Sequence, residues 1–398
     1  MYRVHTNHVL RAADATDMSH VADESVDLVI TSPPYPMIEM WDELFTARDP
    51  AIADALADGD GDAAFERMHA QLDDVWDEVA RVLAPGGIVC VNVGDAVRSF
   101  DDGFRQFPNH ARVIEAFDDR GLRSLPDILW RKPTNRLTKF MGSGMLPPSA
   151  YVTLEHEYVL VFRKGEARDF PPSDPERYAS AFFWEERNEW FSDLWSFTGT
   201  DQTMEATATD DRERSAAFPL ELPLRLVRMY STYGDTVLDP FAGTGTTTLA
   251  AMHAGRDSVG YELDADLVEG FDERTTDLPT RSRRRTRQRL ERHRSFVADR
   301  DPDYEAVHYD VPVVTQQERQ IRLYAVTDVA RATVGADEDG DVAAERAVPD
   351  GQGVEGSHGD ERPHGEAYDE TRTDCRSVRY RLSHTPLDEL DESDADHG

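Results

Sequence analysis

Two clusters of residues have the types and spacing that could carry chemistry. The first is Asp239-Pro240-Phe241-Ala242-Gly243-Thr244-Gly245-Thr246, with Glu262 following 23 residues after Asp239 in Gly260-Tyr-Glu-Leu-Asp264. A glycine-rich turn between a strand and a helix lets a ligand approach the backbone and meet the free N–H groups of the helix's first turn. An acid at the end of the next strand can accept both hydroxyls of a ribose. The glycine loop alone would also fit a nicotinamide cofactor or a tight structural turn. The acid at that spacing favours a nucleoside-bearing ligand.

The second cluster is Thr31-Ser32-Pro33-Pro34-Tyr35, directly after the apolar run Val26-Asp-Leu-Val-Ile30. Taken alone, Pro-Pro is more often a stiff loop than a site. At the carboxyl end of a buried strand, two prolines and an aromatic make a rigid apolar lip where ligands of α/β sheets sit. The Pro33 carbonyl is then fixed and free to accept a hydrogen bond. Ser32 adds an oxygen, and Tyr35 a flat face for stacking.

The elements that must hold these clusters can be read from periodicity. Residues 49–62, rich in Asp, Ala and Gly, predict a loop. Phe65, Met68, Leu72, Val75, Trp76, Val79, Val82 and Leu83 recur at helical spacing up to Pro85-Gly86-Gly87. Strands are expected at 88–93, 127–131 and 157–163, and a helix at 108–120. Residues 166–217 are aromatic, charged and weakly periodic, and read as an insertion. A helix after Pro223, a strand at 236–239, a helix at 246–255 and a strand at 258–262 complete an α/β pattern. Eight Arg and one Glu fall in 281–294, which reads equally as a phosphate-binding run or a partner for acidic surface. Residues 305–329 predict a small strand-rich appendix, and beyond 335 the composition is that of a solvated tail.

Composition narrows the function classes. The 398 residues carry 78 Asp+Glu against 43 Lys+Arg, a net charge of −35, and only Lys132, Lys139 and Lys164 are lysine. Acid excess with lysine nearly absent fits a high-salt cytoplasm; the alternative is an acidic protein with a disordered tail. Such a charge normally argues against a nucleic-acid partner. In molar salt, however, screening shortens to about 3 Å and local contacts decide. The stretch 121–164 reverses the sign locally, with seven basic and three acidic side chains, including Arg131, Lys132, Arg136 and Lys139. Cys90 and Cys375 are too few for a disulfide framework or a cysteine-rich zinc site, and no metal is expected. No apolar run reaches the ~18–20 residues of a membrane span, and the first residues lack a signal-peptide core; a cytoplasmic protein with no membrane partner is expected.

Together the two clusters resemble the amino-methylating DNA methyltransferases, which use S-adenosyl-L-methionine. In that family a (Ser/Asp/Asn)-Pro-Pro-Tyr element carries the target pocket and a Phe-x-Gly-x-Gly element the cofactor. The order here, catalytic element first, resembles the permuted beta group, and the serine form resembles the N4-cytosine enzymes more than the N6-adenine ones. The resemblance covers residues 1–270. It implies a Rossmann-like α/β fold with a mixed, mostly parallel seven-stranded sheet, helices on both faces and a circularly permuted motif order. It also divides the chain: 1–165 as the catalytic half, 166–217 as a target-recognition insertion, 218–298 as the cofactor half, 299–334 as the appendix, and 335–398 as an acidic, largely disordered tail.

By the same resemblance, Ser32, Pro33, Pro34 and Tyr35 are catalytic. Asp14, Thr31, Asp239 to Thr246 and Glu262 hold the cofactor, Asp14 through its adenine, and Arg131, Lys132, Arg136 and Lys139 contact DNA. The partner is double-stranded DNA, with a short palindrome such as CTAG implied by likeness to modification enzymes of salt-loving archaea; a homodimer and a cognate restriction endonuclease stay open. The family's His-Pro-x-x-Lys-Pro element is replaced here by Phe218-Pro-Leu-Glu-Leu-Pro223. N6-adenine methylation, a catalytically inactive DNA-binding protein and a nicotinamide oxidoreductase are the alternatives. Nothing in the chain supplies an acid or base for hydride transfer, and neither cysteine sits in a Pro-Cys motif of the kind carbon-5 methylation needs.

Overall fold

The computed structural model describes residues 4–100, 103–132, 141–143, 145–197, 218–332 and 377–390. Its centre is five parallel strands in the order Leu83–Val93, Val26–Thr31, Thr236–Asp239, Asp257–Glu262 and Val4–Ala12. Val26–Thr31 is buried along its whole length, as a strand covered on both faces must be. After a break in register between Val26 and Leu28, its side chains alternate between two cores. Leu28 and Ile30 join Val237 and the helices Glu221–Tyr230 and Thr246–Ala254 on one face. Val26 and Val29 join Val89, Val91 and Leu238 on the other, under Gly61–Val82 and Asn109–Asp119.

Antiparallel strands extend both edges. His156–Lys164 pairs with Leu83–Val93 and in turn carries Ile128–Arg131 and Leu122–Ser124. Leu194–Trp195 closes that edge beside Ile128–Arg131. At the far edge, Ser377–Pro386 pairs with Val4–Ala12 and with Tyr324–Ala332. The sheet therefore has eleven strands where seven were expected.

Three further expectations are corrected. Residues 49–62 are not a loop: Pro50–Ala57 is a helix and the next begins at Gly61. Asp49 caps the first by accepting from Ala51 N at 3.0 Å, with Pro50 in the first turn, a start signal that the Ala/Asp/Gly composition obscured. The acidic tail contributes a strand, because Val378, Tyr380, Leu382 and His384 alternate with exposed or half-buried neighbours and fill one face. The appendix is reduced to the two-residue strands Tyr304–Glu305 and Pro312–Val313, because Tyr324–Ala332 belongs to the main sheet. No helix among the described residues is long and apolar enough to cross a membrane.

The arginine run lies in the helix Leu278–Val297, whose buried face includes Ser282, Thr286, Arg289, Leu290 and His293. Arg289 makes a two-point ion pair with Glu186 at 2.6 and 2.8 Å. His293 lies 3.1 Å from the Glu185 carboxylate and 3.0 Å from the Pro312 carbonyl. These contacts fasten the 166–197 segment to the helix. In that segment Trp190 and Trp195 are buried in the main core on the Leu28 face of the sheet, Phe183 packs with Leu290 and Val297 of the arginine-rich helix, and Trp184 is exposed.

Candidate active site

All five parallel strands end on the same edge of the sheet, where open α/β sheets bind ligands. Val26–Thr31 and Thr236–Asp239 are direct neighbours, Leu28 beside Val237 and Val29 beside Leu238. The two clusters, some 200 residues apart in sequence, therefore emerge side by side. Between them lies a cleft of about 820 Å³, within the usual range for small-molecule sites. Asp14, Ser32 to Tyr35, Asp239 to Thr244, Thr246 and Glu262 all line it. Thr31 does not: it is buried and donates to Asp239 Oδ1 at 2.7 Å, so it acts on the cleft through that carboxylate.

The cofactor side is built from backbone as much as side chain. Gly245 has φ +77°, and a Cβ there would sit 2.5 Å from the Phe271 ring. At Gly243 an added Cβ would meet nothing within 4 Å, so the backbone there is open to a ligand. Arg274 clamps the loop from behind by donating to the Thr244 carbonyl at 2.6 Å and its hydroxyl at 2.8 Å. Glu262 accepts from Gly243 N at 2.8 Å and Asp264 N at 3.0 Å, which fixes the carboxylate while leaving lone pairs for a diol. These groups fit a nucleoside-bearing ligand. Gly245→Ala is expected to cost on the order of 1–3 kcal/mol, from strain and the Phe271 contact; a thermal denaturation curve matching the wild type would refute the fit.

Asp14 is not free. Its carboxylate is paired with Arg48, the last residue of the helix Asp42–Arg48, and accepts from Thr16 N at 3.0 Å. Arg48, Trp41, Leu44 and Phe45 line the cleft beside it. A ligand using Asp14 must compete with Arg48. Because the pair is half exposed it is worth up to ~1 kcal/mol, so Arg48→Ala should tighten cofactor binding roughly 2- to 5-fold by calorimetric titration. Weaker binding would mean that Arg48 itself holds the ligand. Phe218, first residue of the stretch that departs from the family pattern, also lines the cleft.

On the target side the structure adds residues that sequence reasoning missed. Tyr35 OH donates to Glu157 Oε2 at 3.1 Å and accepts from Asn92 Nδ2 at 2.9 Å. Ser32 Oγ lies 3.0 Å from the same hydroxyl. With the tyrosine proton committed to Glu157, Ser32 donates to Tyr35, and the serine lone pairs remain free to accept from a ligand N–H. Burial, and then the Glu157 charge, push the Tyr35 phenol well above its usual range, so it stays protonated. Glu157 also takes Asn92 Nδ2 at 2.6 Å and Lys132 Nζ at 2.5 Å. Asn92 was detectable as the only polar side chain in Ile88–Val93. Glu157 was not, because its partners lie 25 to 122 residues away.

Lys132 thus faces the cleft and the Trp130 ring at 5.0 Å, rather than standing as an open surface cation. Arg131 is exposed and paired with Glu155 at 3.0 Å. Arg136, Lys139 and Cys375 lie outside the described residues. Cys90 is fully buried in the sheet, and burial raises its thiol far above the range of a nucleophilic thiolate.

A family model described as DNA methylase matches residues 26–273. The type II methyltransferase M.MthZI of Methanothermobacter thermautotrophicus is 48% identical over 323 residues, 80% of this chain and 90% of that protein. M.MjaI of Methanocaldococcus jannaschii is 50% identical over 280 residues, 68% of this chain and 91% of that protein. Among solved structures, the putative DNA modification methylase TTHA0409 of Thermus thermophilus, complexed with S-adenosyl-L-methionine, is similar at 31% identity and TM-score 0.51, over 67% of this chain and 92% of that one.

Proposed function

Because this chain belongs to the DNA methylase family defined by that model, we propose that it methylates N4 of cytosine within a short site in duplex DNA, using S-adenosyl-L-methionine. The observation that carries the reading is the meeting of Ser32-Pro33-Pro34-Tyr35 with Asp239–Thr244, Thr246 and Glu262 in one cleft. Serine in the first position of the target element favours cytosine N4 over adenine N6, by resemblance to the N4 enzymes.

Glu262 would hold the ribose hydroxyls, the Gly243–Gly245 turn the adjoining backbone-facing edge, and Asp14 the adenine once Arg48 yields. Bound, the cofactor supplies an electrophilic methyl group. The chain's own residues prepare the acceptor. An exocyclic amine is a poor nucleophile because its lone pair is delocalised into the ring. Ser32 Oγ and the Pro33 carbonyl accept its two N–H groups and favour a pyramidal nitrogen. As the nitrogen–methyl bond forms, the old methyl–sulfur bonding pair stays with the departing neutral thioether, and the amine gives up its surplus proton to water; positioning and fixed dipoles do the catalytic work, and no covalent enzyme intermediate is required. Reaching the amine in a duplex requires flipping the base out, at a cost of a few kcal/mol. Stacking on Tyr35, whose hydroxyl is anchored at three points, would return ~1–3 kcal/mol.

Residues 166–217 would read the site, and Arg131, Arg136 and Lys139 would meet phosphates; Lys132 would act from inside the cleft. The site CTAG, a cognate restriction endonuclease and a homodimer belong to the same proposal. Modification-sensitive sequencing of DNA exposed to the enzyme tests base and site together. Methylated cytosine at a single palindrome is expected, and methylated adenine would overturn the assignment. The net charge of −35 leads us to expect activity that rises toward molar salt; an optimum in dilute buffer would show that the acidity has another origin.

A further inference from the structure

Away from the cleft, and sharing none of its lining residues, lies a small polar cavity of about 10 Å³. That is room for one water-sized occupant. Arg228, His253, Arg256, Arg289, Ser180 and Tyr233 are among the residues that line it. They come from four segments: the helix Glu221–Tyr230 with the turn after it, the end of the helix that follows the glycine loop, the 166–197 insertion and the arginine-rich helix.

The charges here do not balance. Arg289 is neutralised by Glu186 at 2.6 and 2.8 Å. Arg256, 2% exposed, has hydrogen bonds to neutral groups: Ser231 Oγ at 3.0 Å, Ser231 O at 2.7 Å, the Ala254 carbonyl and the Tyr233 side chain. Arg228, half-buried, lies 6.0 Å from the Trp190 ring centroid, and no hydrogen bond or ion pair joins it to another described residue. Among the described residues, only Arg289 of the three has a carboxylate in direct contact; Glu221 and Asp235 act on Arg228 and Arg256 from a distance and are themselves bonded to Arg225 and Arg168. Burial, reinforced by the nearby Arg289 charge, pulls the Arg228 guanidinium down to about 9, a large departure for a group that ordinarily stays charged.

The cavity is also rich in donors and short of acceptors. His253 is 5% exposed, and neither ring nitrogen has a partner among the described residues. Burial keeps the ring neutral, so one of those nitrogens carries an N–H to donate. Ser180 Oγ already accepts from Tyr233 N at 2.8 Å, which leaves its own proton to give. A cation would be repelled. Water would leave the charge uncompensated at a cost of several kcal/mol per ion. A phosphate or sulfate exceeds a space that admits one water-sized sphere.

We propose that this cavity binds one small monovalent anion, chloride in practice, held by Arg228, Arg256 and the His253 ring. The ion fastens the helix behind the cofactor loop to the insertion and the arginine-rich helix. Part of the protein's response to salt is then specific to the anion rather than to ionic strength.

The test is diffraction from crystals of the full chain grown in sodium bromide, with thermal denaturation in chloride and in gluconate at equal ionic strength. A bromide anomalous peak within hydrogen-bond reach of Arg228 is expected. Chloride should raise Tm over gluconate by ~2–4 °C in the wild type, and Arg228→Met should abolish that increment. A cavity holding only water, or an increment unchanged in Arg228→Met, overturns the proposal. If the variant fails to fold, the bromide peak in the wild type decides alone.

Discussion

Ser32→Ala should leave cofactor affinity within about twofold of wild type and lower single-turnover methyl transfer by roughly 10²–10³-fold, the usual effect of removing one preorganised polar group from a reacting centre. The reason is where the serine oxygen stands. It lines the cleft and lies 3.0 Å from a tyrosine hydroxyl whose own proton is given to Glu157. Its lone pairs are therefore the part of the network open to the incoming amine. None of the hydrogen bonds of the Asp239–Thr246 loop involves Ser32, so cofactor binding should survive. Tyr35 keeps Glu157 and Asn92 in the variant, so the ring should stay in place. Wild-type turnover in Ser32→Ala would remove the serine from the mechanism.

Asp239→Asn should make the cofactor-free protein more stable at pH 8 while impairing turnover. Asp239 is 2% exposed, and burial raises its carboxyl to about 6, against the partial relief from Thr247, Thr31 and Phe241 N. In the unfolded chain an aspartate titrates near 3.9. The folded state thus binds the proton more tightly, and stability falls as pH rises from about 4 through about 6. Above that, the ionised group costs on the order of 3 kcal/mol. Asparagine keeps an oxygen for Thr31 and Phe241 N and removes the charge. The variant's stability gain should be full at pH 8 and vanish near pH 3.5. A variant less stable at pH 8 would show that the hydrogen bonds outweigh the buried charge. Retention of a costly carboxylate at this position is what a binding role requires, since destabilising groups persist where function uses them.

Much of the site could be read before the fold because its parts are local. A strand followed at once by Ser32-Pro33-Pro34-Tyr35, and a strand–glycine turn–helix with an acid 23 residues on, each carry their geometry in a short stretch. What remained hidden is non-local. Glu157 acquires its meaning only when the antiparallel pairing of His156–Lys164 with Leu83–Val93 sets it near Asn92 and Tyr35. Lys132 read as a DNA contact by local charge, and the pairing of His156–Lys164 with Ile128–Arg131 turns it toward Glu157. Arg48 could not be linked to Asp14 by spacing, since the two lie on separate elements.

The fold shows the same division. Long periodic segments such as Gly61–Val82 followed from their apolar spacing. Ser377–Pro386 did not, because its alternation is short and flanked by acidic sequence, although the period-two pattern of Val378, Tyr380 and Leu382 was present. Its partners, Val4–Ala12 and Tyr324–Ala332, are distant in the chain.

The most direct test is mass spectrometry of nucleosides from DNA incubated with the enzyme and methyl-labelled S-adenosyl-L-methionine in high salt. Labelled N4-methylcytosine is expected, and its loss in Ser32→Ala. Labelled N6-methyladenine would contradict the choice of base, and labelled 5-methylcytosine, or no label in DNA, would contradict the amine mechanism itself.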